Sequence, residues 1–328
     1  MSDSTQAIAQ VTPPGDLAAA RKAGRARVIL AFLAIYVIWG STYLAIRYAV
    51  ETIPPLFAAG FRHLSAGSIL LAWCLAKGLR PTWPQIRASI VIGFFFFLLG
   101  HGSLHWAERI VPSGLASLLV ASEPIFVFLL SSAAARTWKL TGMLVAGILL
   151  GLAGVALLLY GTSLESKPGM TLASFAILFG AFAWSIGVIY SRRSHLSGNP
   201  ALLSALSLLS GSIMLLATAG LTGEAWGFSI ARVTPKSWLA LAYLILFGSV
   251  VAFSAYSWLL EHYSPTLVAT HTYINPVVAV FLGWLYGGEA LTLKVGLAAA
   301  MVVGAVVLVD RGTNQLHHLS PNPSKSSE

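Results

Sequence analysis

His101 and His105 stand four residues apart and Glu108 follows three residues later, so on a helix all three share one face. Imidazoles titrate near neutral pH; such a stripe could relay protons, contribute to a metal site or line a water-filled cavity. Glu123 directly precedes Pro124 inside another apolar run. A carboxyl group at that depth costs at least ~2.5–3.5 kcal/mol on insertion scales, which points to a bound proton, cation or solute. The proline lacks an N–H and frees a carbonyl one turn back, so a helix kink is expected beside it. Asn275 and Pro276 repeat the pattern with a neutral side chain, and His271 lies one turn before Asn275. Arg62, two turns into its own apolar run, could hold a carboxylate or snorkel to the surface. Trp39 and Tyr43, with Tyr36, Tyr273, Trp106 and Trp258 as further candidates, could line a pathway for flat or cationic solutes.

These residues sit in ten apolar runs: 28–50, 56–76, 87–106, 113–133, 140–161, 171–191, 200–222, 237–259, 265–286 and 292–310. Each is close to the ~20 residues that cross a ~30 Å hydrocarbon core as a helix. Turn formers such as Pro54-Pro55, Pro112, Pro168-Gly169 and Asn199-Pro200 separate them, and no loop is long enough to fold into a catalytic domain. The expected fold class is therefore an all-α membrane protein of ten transmembrane helices, flanked by disordered tails at 1–27 and 311–328.

Composition supports this. Of 328 residues, 57% are hydrophobic and only 9% charged, with a mean hydropathy of +0.79. Soluble domains carry about 25% charged residues, so most of this surface must face lipid. The net charge of +9 would suggest nucleic acid in a soluble chain, but here the basic residues lie in short loops and set orientation. Of the 20 lysines and arginines, Arg109, Lys167, Arg232, Lys236 and Lys294 fall in loops opposite the amino terminus. Arg47 and Arg62 lie within runs and the rest fall on the amino-terminal side, which makes both termini cytoplasmic. The single cysteine, Cys74, excludes an internal disulfide and a cysteine metal cluster. A Walker A sequence, HExxH and a nucleophile elbow are all absent.

The chain also repeats itself. Trp106 leads to Pro124 with the spacing by which Trp258 leads to Pro276; Trp39 to Arg47 reappears as Trp184 to Arg192, and Gly67-Ser68-Ile69 as Gly211-Ser212-Ile213. Two halves, 28–161 and 171–310, thus hold five runs each. An odd number inverts the second half in the membrane, which is the build of many secondary transporters, with the site at the seam. His101, His105 and Glu108 face Phe253, Ser257 and Leu260 in the repeat, and Arg62 faces Leu206, so the polar stripe belongs to one half. Arg47 matches Arg192 and reads as an interface anchor or gate.

Tyr36-Val37-Ile38-Trp39-Gly40-Ser41-Thr42-Tyr43, Val111-Pro112-Ser113-Gly114, Tyr273 through Val280, Gly287-Gly288-Glu289 and Gly304 through Leu308 resemble the signature of the drug/metabolite transporter superfamily, EamA type. The YedA-like inner-membrane exporters are the best likeness, over nearly the whole chain. His101 and Glu123 depart from the family pattern, which favours a smaller amide and an apolar residue there. The resemblance implies two inverted five-helix EamA repeats in a bacterial cytoplasmic membrane and outward transport of metabolites or drugs. The expected function is secondary transport of small polar, amino-acid-like solutes by alternating access, proton-coupled through Glu123. No cofactor, resident metal, nucleic acid or enzymatic activity is expected; the partners are a solute, protons and the lipid bilayer, in a monomer or homodimer. The alternatives are an uncoupled facilitator or exchanger and a metal-dependent membrane enzyme using His101, His105 and Glu108.

Overall fold

The structure, a computed structural model, describes residues 26–135, 141–159, 168–194, 199–224, 226, 228–262, 268 and 270–319. The expected amino-terminal tail lies mainly outside these residues, as do 320–328 of the carboxy-terminal one and the link at 160–167. The helices are α1 (Ala26–Ala49), α2 (Pro55–Ala76), α3 (Trp83–Ala107), α4 (Ser113–Val120), α5 (Glu123–Ala135), α6 (Gly142–Leu159), α7 (Met170–Arg193) and α8 (Pro200–Leu221). Next comes α9, which runs from Pro235–Tyr243 through Leu244–Val251 into Ala252–His262, then α10 (His271–Gly287) and α11 (Leu293–Leu319).

The helix starts follow from local chemistry. Thr82 and Gln85 form a capping box ahead of α3. The Asn199 side chain accepts from the Ala201 amide beside Pro200, and Thr234 accepts from the Ser237 amide beside Pro235. Gly288 ends α10 in the left-handed region at φ 64°, turning the chain so that Glu289 doubles back on Gly283.

Among the described residues, seven helical stretches are long and apolar enough to cross a membrane: Ala26–Ala49, Trp83–Ala107, Ser113–Ala134, Met170–Ser191, Pro200–Leu221, Pro235–Tyr256 and Leu293–Gly312; Gly142–Leu158 is a shorter apolar one. Helices α2 and α10 fall outside this set. The adjacent Arg62 and His63 lower the apolarity of α2, and the described part of α10 is 17 residues long. Large apolar side chains such as Leu149, Leu152, Phe175, Phe179, Leu239 and Leu293 point outward, a surface suited to lipid rather than water.

Three departures from simple rods position the polar residues. The run expected as one span at 113–133 breaks at Ala121 and Ser122 into α4 and α5. Pro124 cannot donate to the Val120 carbonyl, and its ring crowds that turn, so the regular bonding lapses for two residues within one membrane-length stretch. In α10 the equivalent Pro276 sits inside an unbroken helix. The second departure is a set of π turns, in α1 at Ala34–Ile38, in α3 at Phe94–His101 and in α9 at Leu244–Val251. A π turn widens the helix and leaves carbonyls for side chains to use. Third, α11 continues as helix to Leu319, beyond the expected end at 310.

Packing pairs the two halves. Helix α2 lies along α8 and α6 along α11; α1 packs on α9 and α10, while its repeat counterpart α7 packs on α3, α4 and α5. Each contact between halves thus has a counterpart with the halves exchanged. Glycines permit the closest approaches. A Cβ on Gly40 would sit 2.6 Å from Cβ of Val278 on α10, and one on Gly93 would sit 2.8 Å from the Gly211 main-chain nitrogen. Close backbone approach is how membrane helices gain contact without a hydrophobic driving force.

Candidate functional site

Arg62 of α2 is 5% exposed and its Nε donates to Ser249 Oγ at 3.2 Å. Ser249 belongs to the π turn of α9 and itself donates to the Leu244 carbonyl. The guanidinium lies over Gly248, where any Cβ would stand 3.3 Å from Nη2. The same turn offers the Gly248 carbonyl to Trp39 Nε1 at 3.0 Å. A helix of the first half, the first helix and a π turn of the second half therefore meet at this cation. Among the described residues the ion pairs are Arg47–Glu289 and Lys236–Glu51; Arg62 joins neither.

His63, the next residue, is 1% exposed, and its Nε2 lies 2.8 Å from Nδ1 of His101 on α3. His101 stacks on Trp184 of α7 with ring centroids 5.2 Å apart. One turn on, His105 Nδ1 donates to the His101 carbonyl at 2.8 Å, which leaves Nε2 as the lone-pair nitrogen. Glu108 closes the column, 1% exposed, with neither carboxyl oxygen in a well-formed hydrogen bond, although the Arg47 main-chain amide acts on it. The field of Glu108 reaches Arg62, Arg47 and Glu289.

Three of the residues singled out in the sequence, Arg62, His101 and His105, are thus brought together. His63 was missed, although an ionisable neighbour of Arg62 in an apolar helix was a legible signal. A second group forms between α1, α9 and α10: Trp39 packs edge-on against His271 at 4.9 Å and against Tyr256 at 5.1 Å. His271 Nδ1 donates to the Val268 carbonyl. With the Asn275 amide assigned so that its nitrogen meets acceptors, that nitrogen donates to the carbonyls of Ile35, Tyr36 and His271 at 3.2, 3.2 and 3.1 Å. Two of those carbonyls belong to the π turn of α1, so Asn275 ties α10 to it.

Glu123 stands apart, half-buried at the head of α5, where the positive end of that helix faces it. Its main-chain carbonyl accepts from Ser185 Oγ of α7 at 3.3 Å. Tyr43 packs against the main apolar core within the field of both Glu108 and Glu123. Among the described residues no three His, Cys, Asp or Glu side chains converge as metal ligands.

Two carboxylates from second-half loops seat on helix starts of the first half. Glu289, 9% exposed, accepts from the Ser113 amide and hydroxyl at 2.6 Å each, from the Gly114 amide at 2.9 Å and from Arg47. Glu224 accepts from the Leu56 and Phe57 amides at 2.6 and 3.3 Å. Anions suit such N-terminal amides. Burial pushes the Glu224 carboxyl up from its ordinary value, and the two amide bonds pull the other way.

An all-helical bundle with membrane-length apolar helices, and with polar residues gathered where its two halves meet, defines a membrane transporter of the repeat-built kind. Residues 26–160 and 171–310 each match the EamA-like transporter family, and the chain belongs to that family. It is 39% identical over 286 residues to the uncharacterized inner membrane transporter YedA of Escherichia coli (strain K12), covering 86% of this chain and 90% of YedA. It is 30% identical to protein PagO of Salmonella typhimurium, covering 84% and 91%. A solved crystal structure superposes with a TM-score of 0.61 at 21% identity, covering 88% of this chain and 98% of the other, and shares the fold.

Proposed function

We propose that this protein is a secondary transporter of the bacterial cytoplasmic membrane that exports small, partly polar, amino-acid-like solutes by alternating access. Ten spans with both termini cytoplasmic account for the basic loops, and five per half make the second repeat inverted. The observation that carries the reading is Arg62, a buried arginine at the seam of the halves with no ion-pair partner among the described residues. A permanent cation in the membrane interior is costly unless an anion completes it, and a solute carboxylate would do so. Trp39, Trp184 and Tyr43 wall the seat, and Glu123 at the head of α5 would meet an ammonium group. All these residues come from one chain, so a monomer suffices as the transport unit.

Radiolabelled solute counterflow in proteoliposomes, over a panel of amino acids and carboxylates, tests the seat. Arg62→Gln is expected to abolish counterflow of every carboxylate that wild type exchanges, and Arg62→Lys to weaken it. Full exchange by folded Arg62→Gln protein would remove the reading. Coupling through Glu123 predicts that Glu123→Gln flattens the pH dependence of flux; wild-type flux indifferent to a pH gradient would favour the uncoupled facilitator.

A further inference from the structure

Every buried side-chain nitrogen or oxygen without a well-formed hydrogen bond among the described residues lies in one column: His63 Nδ1, His105 Nε2 and both oxygens of Glu108, on which only the Arg47 main-chain amide acts. Buried polar atoms are normally partnered, so such a gathering marks a place completed by something that comes and goes. The column runs along α3 from Glu108, at the end of that helix, to the level of Arg62. Nothing in the seat proposed above uses Glu108.

Charge counting gives the column its chemistry. The charged and titratable groups facing Glu108 are Arg47 and Tyr43 from α1, Arg62 from α2, Glu289 from the turn after α10 and His105 from its own helix. Arg47 and Glu289 are paired and cancel. Arg62 and Glu108 are not in contact, yet Glu108 is the acid whose field reaches Arg62, so these two charges balance when Glu108 is ionised, with Glu123 farther off at the head of α5. An anion arriving at Arg62 leaves one negative charge in excess where water cannot screen it.

We infer that Glu108 takes up a proton when an anionic solute settles on Arg62, so that proton and anion cross the membrane together. The inference rests on the Arg62 seat proposed above. The proton adds to one carboxyl oxygen of Glu108, and the loaded seat is neutral again. His105 presents its bare Nε2 on the same helix face one turn away, a neutral acceptor beside the protonated acid. The His101 carbonyl holds His105 through Nδ1, so the His101–His63 pair is separate from this proton, which stays at the Glu108 end of the column. Linkage makes the effect reciprocal: the anion favours the proton and the proton favours the anion. Outward flow is then driven by solute accumulated inside, with a proton leaving beside each anion, and not by exchange against protons.

The test uses full-length protein in proteoliposomes with a pH-sensitive dye inside and radiolabelled α-amino acids and mono- and dicarboxylates as probes. For a monocarboxylate probe that wild type exchanges, inward solute flow should acidify the lumen by one proton per solute molecule. Its apparent affinity should rise by up to ~10-fold for each pH unit lowered through the titration. Glu108→Gln should still exchange the probe but move no proton with it, which separates Glu108 from coupling through Glu123; Glu108→Asp should restore acidification. Lumen alkalinisation in wild type, or acidification that persists in folded Glu108→Gln, overturns the inference and leaves the seat standing. Solute flow that depends on Arg62 but moves no proton does the same. Counterflow that ignores Arg62→Gln removes the seat itself, and the inference with it.

Discussion

Glu289 offers the sharpest prediction from geometry. Replacing it with alanine removes the acceptor of contacts from Arg47, from the Ser113 amide and hydroxyl and from the Gly114 amide. A hydrogen bond to a charged group contributes about 1.5–3 kcal/mol, and loss of a helix N-cap costs about 1 kcal/mol. The contacts share one carboxylate and overlap, so the expected loss is ~3–5 kcal/mol, the range for removing one member of a buried pair. Arg47 is 28% exposed at its side chain, and water replaces much of what it loses, so Arg47→Ala should cost only about 1 kcal/mol. Glu289→Gln keeps an acceptor but no charge and should fall between. Equilibrium unfolding in mixed micelles measures these differences, and hydrogen exchange should report faster opening of the Ser113 and Gly114 amides. Gly283→Ala should reproduce part of the effect, because its Cβ would stand 2.5 Å from Glu289 Oε2. If Glu289→Ala costs under ~0.5 kcal/mol, or less than Arg47→Ala, the cross-half cap is not holding the helix start.

Three further outcomes are expected. Gly40→Ala forces a Cβ within 2.6 Å of Val278 and should cost about 1–3 kcal/mol, much of it recovered in the Gly40→Ala/Val278→Ala double variant. Trp39→Phe keeps the ring against His271 but orphans the Gly248 carbonyl; it should cost about 1–3 kcal/mol, with loss of the indole N–H signal shift as the spectroscopic check. Glu224 has a folded-state carboxyl raised above 4.5, so its contribution to stability is present below that value and declines as pH rises through the raised one. Glu224→Gln should therefore flatten the stability–pH profile just above pH 4.5, and an unaltered slope there would count against the burial that raises it.

Helical character, the membrane setting and the family were legible along the chain, because apolar runs, turn residues and duplicated motifs are local or periodic and need no partner to be read. Arg62, His101 and His105 could be singled out because an ionisable group in an apolar run is costly wherever it lies. Which of them meet could not be read, since that depends on how α2 and α3 rotate against α9. His63 joins His101 only through that packing, and Asn275, marked as a pathway residue, faces the carbonyls of a π turn that no residue pattern announced. The weak point expected ahead of Glu123 shows as a two-residue interruption within one membrane-length stretch. Proline sets where the helix is weak, but the packing of α4 and α5 against α7 sets how far it opens, and Pro276 lies in a helix that stays whole. The sequence by itself determined what the helices are made of, through burial and backbone satisfaction in lipid. Tertiary structure alone decided which polar groups are paired and which are left waiting, because pairing is a property of two surfaces and a sequence states only one at a time.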